Sequence, residues 1–267
     1  MANIIFMKKE ILYFLTQTKF NLKNAYALRK SFWVGVFSMM LNNISFFVMW
    51  LLFMNATGPI NGWTSIDVFG MLGVSLFCFG VCHAFFYGIK DLPELVLKGS
   101  FDNVLLAPVN SFLKLSGSSF SITSYGDLFM GLAVMIFYVI FVGFNLYSVI
   151  LFLISVVFGC IIFICVRLLS SLVVFFVYDG EILSTQIFEI FLRPGLYPGA
   201  IFPNKLKIFC MTVVPTLITS AVPIDAVMIN KISFLFFISI VTTIWILFTY
   251  FMYKISIRRY ESGNLLR

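Results

Sequence analysis

Read for its succession of apolar and polar stretches, the chain resolves into long apolar runs at 32–54, 66–89, 128–144, 148–177 and 232–253. A helix rises about 1.5 Å per residue, so about twenty apolar residues match a hydrocarbon layer of about 30 Å. Each run is therefore a predicted membrane span. The first is followed by an uncharged, turn-rich loop from Asn55 to Gly62. Asp127 is placed to cap the third, and the Asn145-Leu146-Tyr147 link leads into a fourth that stays apolar longer than a crossing needs, with Arg167 in its later part.

Two regions do not read as simple spans. Residues 1–31 carry Ile11, Leu12, Leu15, Leu22 and Tyr26 at helical spacing with lysines on other faces, the pattern of a helix lying in the membrane interface. Residues 178–231 allow two readings. Hydropathy favours 208–228 as a crossing, but Pro215 and Pro223 interrupt it, and each proline removes a backbone donor. The alternative crossing is 182–200, shortened or kinked by Pro194, with 201–230 as a broken hairpin that re-enters from outside. In that reading Glu189 and Arg193 form an i,i+4 pair that neutralises itself within the membrane, while Lys205 and Lys207 are left outside. Either reading gives six spans.

Composition agrees with the pattern: 61% of the 267 residues are hydrophobic, 11% are charged and 34 are Phe. One soluble core cannot hide so much apolar side chain. The formal net charge of +7 matters through its placement. Lys8, Lys9, Lys19, Lys23, Arg29 and Lys30 precede the first run, and Lys254, Arg258, Arg259 and Arg267 follow the last. Excess Lys and Arg mark cytoplasmic segments, so both termini are expected inside. No aromatic-basic motif accompanies the charge, so no nucleic-acid partner is expected. The polar, basic stretch before the first run does not suit a signal peptide. Cys78, Cys82 and His83 lie close in sequence but lack a fourth ligand, and this is the sole His, so small-residue packing is expected there and no metal.

Between spans two and three lies one sizeable loop, 90–126. Pro93 is placed to start a short helix, Gly99 to end it, and Ser100 or Asp102 to cap a second before Pro108. Leu95, Val96, Leu97, Phe101, Leu105 and Leu106 would then be exposed together, as a docking surface rather than a solvated linker.

Three ordered motifs resemble a known family. Val96-Leu97-Lys98-Gly99-Ser100-Phe101-Asp102 with Leu105-Leu106-Ala107-Pro108-Val109-Asn110 is similar to that family's loop. Tyr197-Pro198, Ile201-Phe202-Pro203, Pro215 and Pro223 resemble its proline-rich element, and Arg258-Arg259-Tyr260-Glu261-Ser262 its C-terminal ending. The family is the six-helix permease group of type-2 ABC exporters, and the likeness runs through essentially the whole chain. One departure is Ala107, where such permeases usually carry Arg.

The resemblance implies an all-α polytopic protein of the bacterial plasma membrane, with a coupling helix between spans two and three and a re-entrant outer hairpin before span six. It also implies a cytoplasmic ATP-binding subunit and a second permease subunit, identical or related. On this reading the ATPase-coupling loop comprises Asp91, Glu94, Leu95, Leu97, Gly99, Asp102, Leu105 and Pro108, and Leu95→Asp is expected to abolish association. The hairpin comprises Tyr197, Pro198, Pro203, Pro215 and Pro223. The chain has no G-x-x-x-x-G-K-[ST] phosphate loop, so ATP and Mg are expected on the partner and no cofactor on this chain.

Asn42, Asn43, His83 and Arg167 are the candidate lining of a substrate pathway, with Arg167 either snorkelling to the cytoplasmic interface or facing a cavity. Phe-rich, charge-poor spans facing membrane lipid suit an amphipathic or lipid-like cargo such as a drug, peptide or lipid. Two other classes fit the sequence less well. A secondary transporter needs carboxylates deep in the membrane, whereas Asp67, Asp127, Asp179 and Asp225 are expected near span ends. An intramembrane enzyme would rest on His83 as base, whereas interhelical hydrogen bonding is the expected role of His83, Asn42 and Asn43.

Overall fold

The computed structural model describes residues 2–27, 29–177 and 180–260; Asp179, Glu261, Ser262 and Arg267 lie outside the described residues. Among the described residues the fold is all-α: helices of varied length, short 3-10 turns and a single isolated bridge between Ile60 and Trp63. Five helices among the described residues are long and apolar enough to cross a membrane: α2 (Arg29–Thr57), α3 (Ser65–Phe85), α7 (Ser124–Val142), α8 (Leu146–Leu172, with its 3-10 extension Val173–Phe175) and α12 (Ile232–Arg259). The chain is an all-α polytopic membrane protein.

The outer helices bury only a stripe. In α2 it runs Phe32, Val36, Asn43, Trp50, Met54, spaced by fours and sevens on one face, while Val34, Phe37, Leu41 and Leu52 stand exposed as lipid contacts. The middle of the bundle is α3 packed along α7, the most extensive helix pair. Backbones meet there because glycines leave no side chain between them. A Cβ on Gly80 would lie 2.6 Å from the Leu128 amide nitrogen, and one on Gly131 would lie 2.8 Å from the Gly73 carbonyl oxygen.

At one end of the bundle, α4 (Gly88–Leu97), α5 (Asp102–Leu105) and α6 (Ser111–Ser116) form a compact cap. Ile89, Leu92, Phe101, Val104 and Leu115 pack there with Leu168, Leu172 and Tyr253 of α8 and α12. The apolar run 66–89 is thus split at Phe86–Tyr87 rather than continuous. Gly88 makes the turn feasible, since a side chain there would collide with the Leu115 carbonyl oxygen. Pro93 does not start its helix: α4 begins five residues earlier and Pro93 is buried inside it. Gly99, at φ 67°, ends α4 in the left-handed conformation that suits a glycine cap. The second helix is entered through Phe101 with no side-chain cap, and the Ser100 hydroxyl donates instead to the Leu95 carbonyl at 3.3 Å.

α1 (Ala2–Ala27) lies against this cap, with the Asn110 amide donating to Glu10 Oε1 at 3.0 Å and Asn21 Nδ2 donating to the Gly117 carbonyl at 2.9 Å. Ile11, Leu12, Leu15 and Phe20 remain exposed on it.

The ambiguous region resolves into short pieces: α9 (Gly180–Leu192), a 3-10 turn (Arg193–Leu196), a second one (Gly199–Ile201), α10 (Asn204–Thr212), a third turn (Pro215–Thr219) and α11 (Val222–Ile229). Residues 208–228 are therefore not one crossing helix. Pro215 opens a 3-10 turn and Pro223 sits in the first turn of α11, positions that tolerate a missing N–H. α9 begins packed on the end of α8, where Gly180 touches Val174. Its continuation ends at Tyr197, whose ring meets Trp50 of α2 at 6.0 Å.

Candidate functional site

The coupling-loop residues divide into anchors and surface. Phe101 is fully buried, its ring 5.2 Å from Tyr260 and 5.9 Å from Phe175, so it fastens the loop to the body instead of joining an exposed patch. The loop motif and the C-terminal motif thereby meet. Asp91 accepts a hydrogen bond from the Ser119 hydroxyl. Glu94 pairs with Lys98 at the surface and holds that ammonium above its ordinary pKa. Leu95 and Leu105 are half-buried, Asp102 opens α5, and Pro108 is exposed. Leu97 and Leu106 carry the free apolar surface, at 41% and 83% exposure.

Within the bundle, α2, α3, α7, α8 and α9 enclose a cavity of about 210 Å³. Its walls are mostly apolar, among them Phe46, Leu76, Phe79, Phe163 and Leu192, and its polar residues are Asn42, Asn43, Ser75, Asp127, Glu189, Arg193 and Thr219. Asn43 Nδ2 donates to Asp127 Oδ1 at 2.7 Å. Asp127 is 1% exposed, and its Oδ2 has no hydrogen-bond partner. It is not the cap of its helix: α7 starts at Ser124 behind Thr123, which carries Asp127 inside the first turn. A carboxylate there is favoured by the helix dipole. Glu189 and Arg193 stand exposed at the rim, and the ion pairs among the described residues are Lys98–Glu94 and Lys207–Asp225. The expected i,i+4 pair is absent because α9 tightens into a 3-10 turn at Arg193, which alters the register between the two side chains.

Of the predicted pathway residues, Asn42 and Asn43 reach the cavity, whereas His83 and Arg167 do not line it. His83 is buried with its ring 4.0 Å from Phe79, and its Nδ1 is 3.1 Å from the Phe79 carbonyl. That contact is within α3, not between helices. Arg167 does not snorkel to the interface: it is 3% exposed, with its guanidinium 4.5 Å from the Phe188 ring centre, a cation–π contact in a desolvated site. Phe79 and Phe163 line the cavity and also pack on His83, so His83 sits one aromatic layer behind it. Asp127, Ser75 and Thr219 are the polar site residues that the sequence did not single out for this cavity. A polar Asn43 in an otherwise apolar span was the signal, because a buried amide requires a partner.

At the opposite end from α4–α6, the hairpin is tied to the α2–α3 loop by Asn61 Nδ2 donating to the Ala200 carbonyl at 2.8 Å. Tyr197 and Pro203 are exposed there, while Pro198, Pro215 and Pro223 are buried. Lys207 lies 2.8 Å from the buried Asp225. One of the two lysines that count against an outer hairpin is thus paired with a carboxylate.

Comparison with family models matches residues 39–263 to the ABC-2 family transporter proteins. No curated protein matches the chain.

Proposed function

The chain belongs to the ABC-2 transporter family and is a membrane permease of an ABC transporter; from that premise we propose that it exports an amphipathic or lipid-like substrate, powered by a separate ATP-binding subunit docked on α4–α6. The observation that carries this reading is the cap itself: two leucines, Leu97 and Leu106, held out from helices whose other apolar side chains are anchored on α8 and α12. Closure of an ATPase dimer against such a cap has a rigid lever to push, and it biases the spans between inward- and outward-open arrangements. ATP and Mg belong to the partner, and this chain holds neither.

The α4–α6 end is cytoplasmic in this proposal. Arg29 and Lys30 open α2, and Arg258 and Arg259 close α12 next to the cap, the placement expected of positive charge inside. Both termini then lie in the cytoplasm of a bacterial cell. α9 with its 3-10 continuation extends about 28 Å and supplies the remaining crossing, the fifth in chain order, and residues 197–230 form the re-entrant outer hairpin before α12. Asn42, Glu189 and Arg193 are poor neighbours for lipid. A second permease subunit, identical or related, covers that side and completes the conduit.

Capture of the tagged chain from its native membrane tests the reading. An ATP-binding subunit and a second permease are expected to accompany it. A chain recovered without any ATP-binding protein would overturn it.

A further inference from the structure

We propose that the cavity around Asp127 is a binding site for the primary ammonium group of an amphipathic cation. The inference names a substrate class and rests on the exporter reading above for its role in transport, not for the binding itself. Asp127 provides the first observation. The residue is 1% exposed, it lines the cavity, and Oδ2 has no donor while Oδ1 is held by Asn43 at 2.7 Å. A carboxylate stripped of water requires its remaining lone pairs to be met. The missing partner is a donor, and a positively charged one answers both the charge and the hydrogen bond.

The walls supply the second observation. Phe46, Leu76, Phe79 and Phe163 offer apolar and aromatic surface to a hydrocarbon body, and aromatic faces favour a nearby cation. The formal charge of the lining is negative, because Asp127 and Glu189 stand against Arg193 alone. A metal ion is a poorer occupant, since the described residues contain no group of three or more His, Cys, Asp or Glu side chains placed to hold one. Asn43 orients the carboxyl and Asn42 stands ready at the open side, so the site selects an N–H donor over a quaternary ammonium. Volume sets the scale: a cavity of about 210 Å³ takes a single ring and a short chain.

The test uses the full chain in nanodiscs of zwitterionic lipid, with 4-phenylbutylammonium as probe and 4-phenylbutyrate as its anionic counterpart. The ammonium is expected to bind, the carboxylate not to, and Asp127→Asn to weaken ammonium binding at least tenfold. That variant keeps an oxygen for Asn43 to donate to. A second readout needs no variant. Modification of Asp127 by a hydrophobic carbodiimide in the wild-type chain, followed by mass spectrometry, is expected to slow at least tenfold with the ammonium and not with the carboxylate. Equal binding by Asp127→Asn, equal protection by 4-phenylbutyrate, or an Asp127 that never reacts would each overturn the proposal. Ammonium binding by a chain that captures no ATP-binding subunit leaves this site standing and removes the exporter reading. A chain that captures the subunit but binds no ammonium does the reverse.

Discussion

Gly131→Val is expected to separate α3 from α7 and abolish the folded chain. A Cβ at this position already falls 2.8 Å from the Gly73 carbonyl oxygen and closer still to the Phe77 amide nitrogen, so the added side chain meets backbone rather than a rotatable group. Overpacking ordinarily costs about 1–3 kcal/mol where side chains can move aside. Here the helices themselves must part, which places the cost at the upper end of that range or beyond it. Neighbouring contacts go with it: Tyr138 of α7 donates to Asp67 Oδ1 at 3.0 Å, and Asn43 reaches Asp127 across the same bundle. Thermal unfolding in detergent reads the effect. Leu132→Val, at a neighbouring residue that is 41% exposed, is the control and is expected to unfold with the wild type.

Leu106→Asp is expected to remove the ATP-binding subunit without disturbing the fold. At 83% exposure the side chain contributes little to packing, whereas a carboxylate placed at the centre of an apolar contact is desolvated without a partner. A loss of at least about tenfold in capture, equivalent to about 1.4 kcal/mol, is the expected result. Leu95→Asp, the substitution that sequence alone recommends, is a less clean test. Leu95 is half-buried against the cap, and its carbonyl accepts from the Ser100 and Phe101 amides at 2.9 and 3.1 Å. A charge there threatens α4 itself. Quantitative capture with normal yield and normal unfolding separates the two outcomes.

The long apolar helices were legible because lipid penalises polar side chains along a crossing, so α2 and α12 read as long apolar runs with few polar interruptions. Helix ends were less so. Pro93 reads as a start signal, yet it is tolerated inside α4 because the first turn of that helix is already set by Gly88 against Leu115. Exposure within the loop was misjudged at Phe101 because amphipathic spacing does not reveal whether a face turns to solvent or to α8.

The site was legible only in part. Asn42 and Asn43 stand out in an apolar span, but the carboxyl that Asn43 binds lies 84 positions away, and only the packing of α2 on α7 brings them together. Arg167 and His83 drew attention as rare polar groups. Aromatic neighbours from other helices, Phe163 and Phe188, absorb them instead of leaving them on the pathway. Lys205 and Lys207 count against an outer position for this segment, but Lys207 faces Asp225, and charge counting along a sequence does not register paired charge.

If energy enters this chain through α4–α6 from another protein, cross-linking from Leu106→Cys in native membranes yields a product that contains an ATP-binding subunit. Ile140→Cys, on the exposed face of α7, is the lipid-facing reference and yields none. Absence of the position-106 product in membranes where the chain is functional would mean that α4–α6 does not receive that energy.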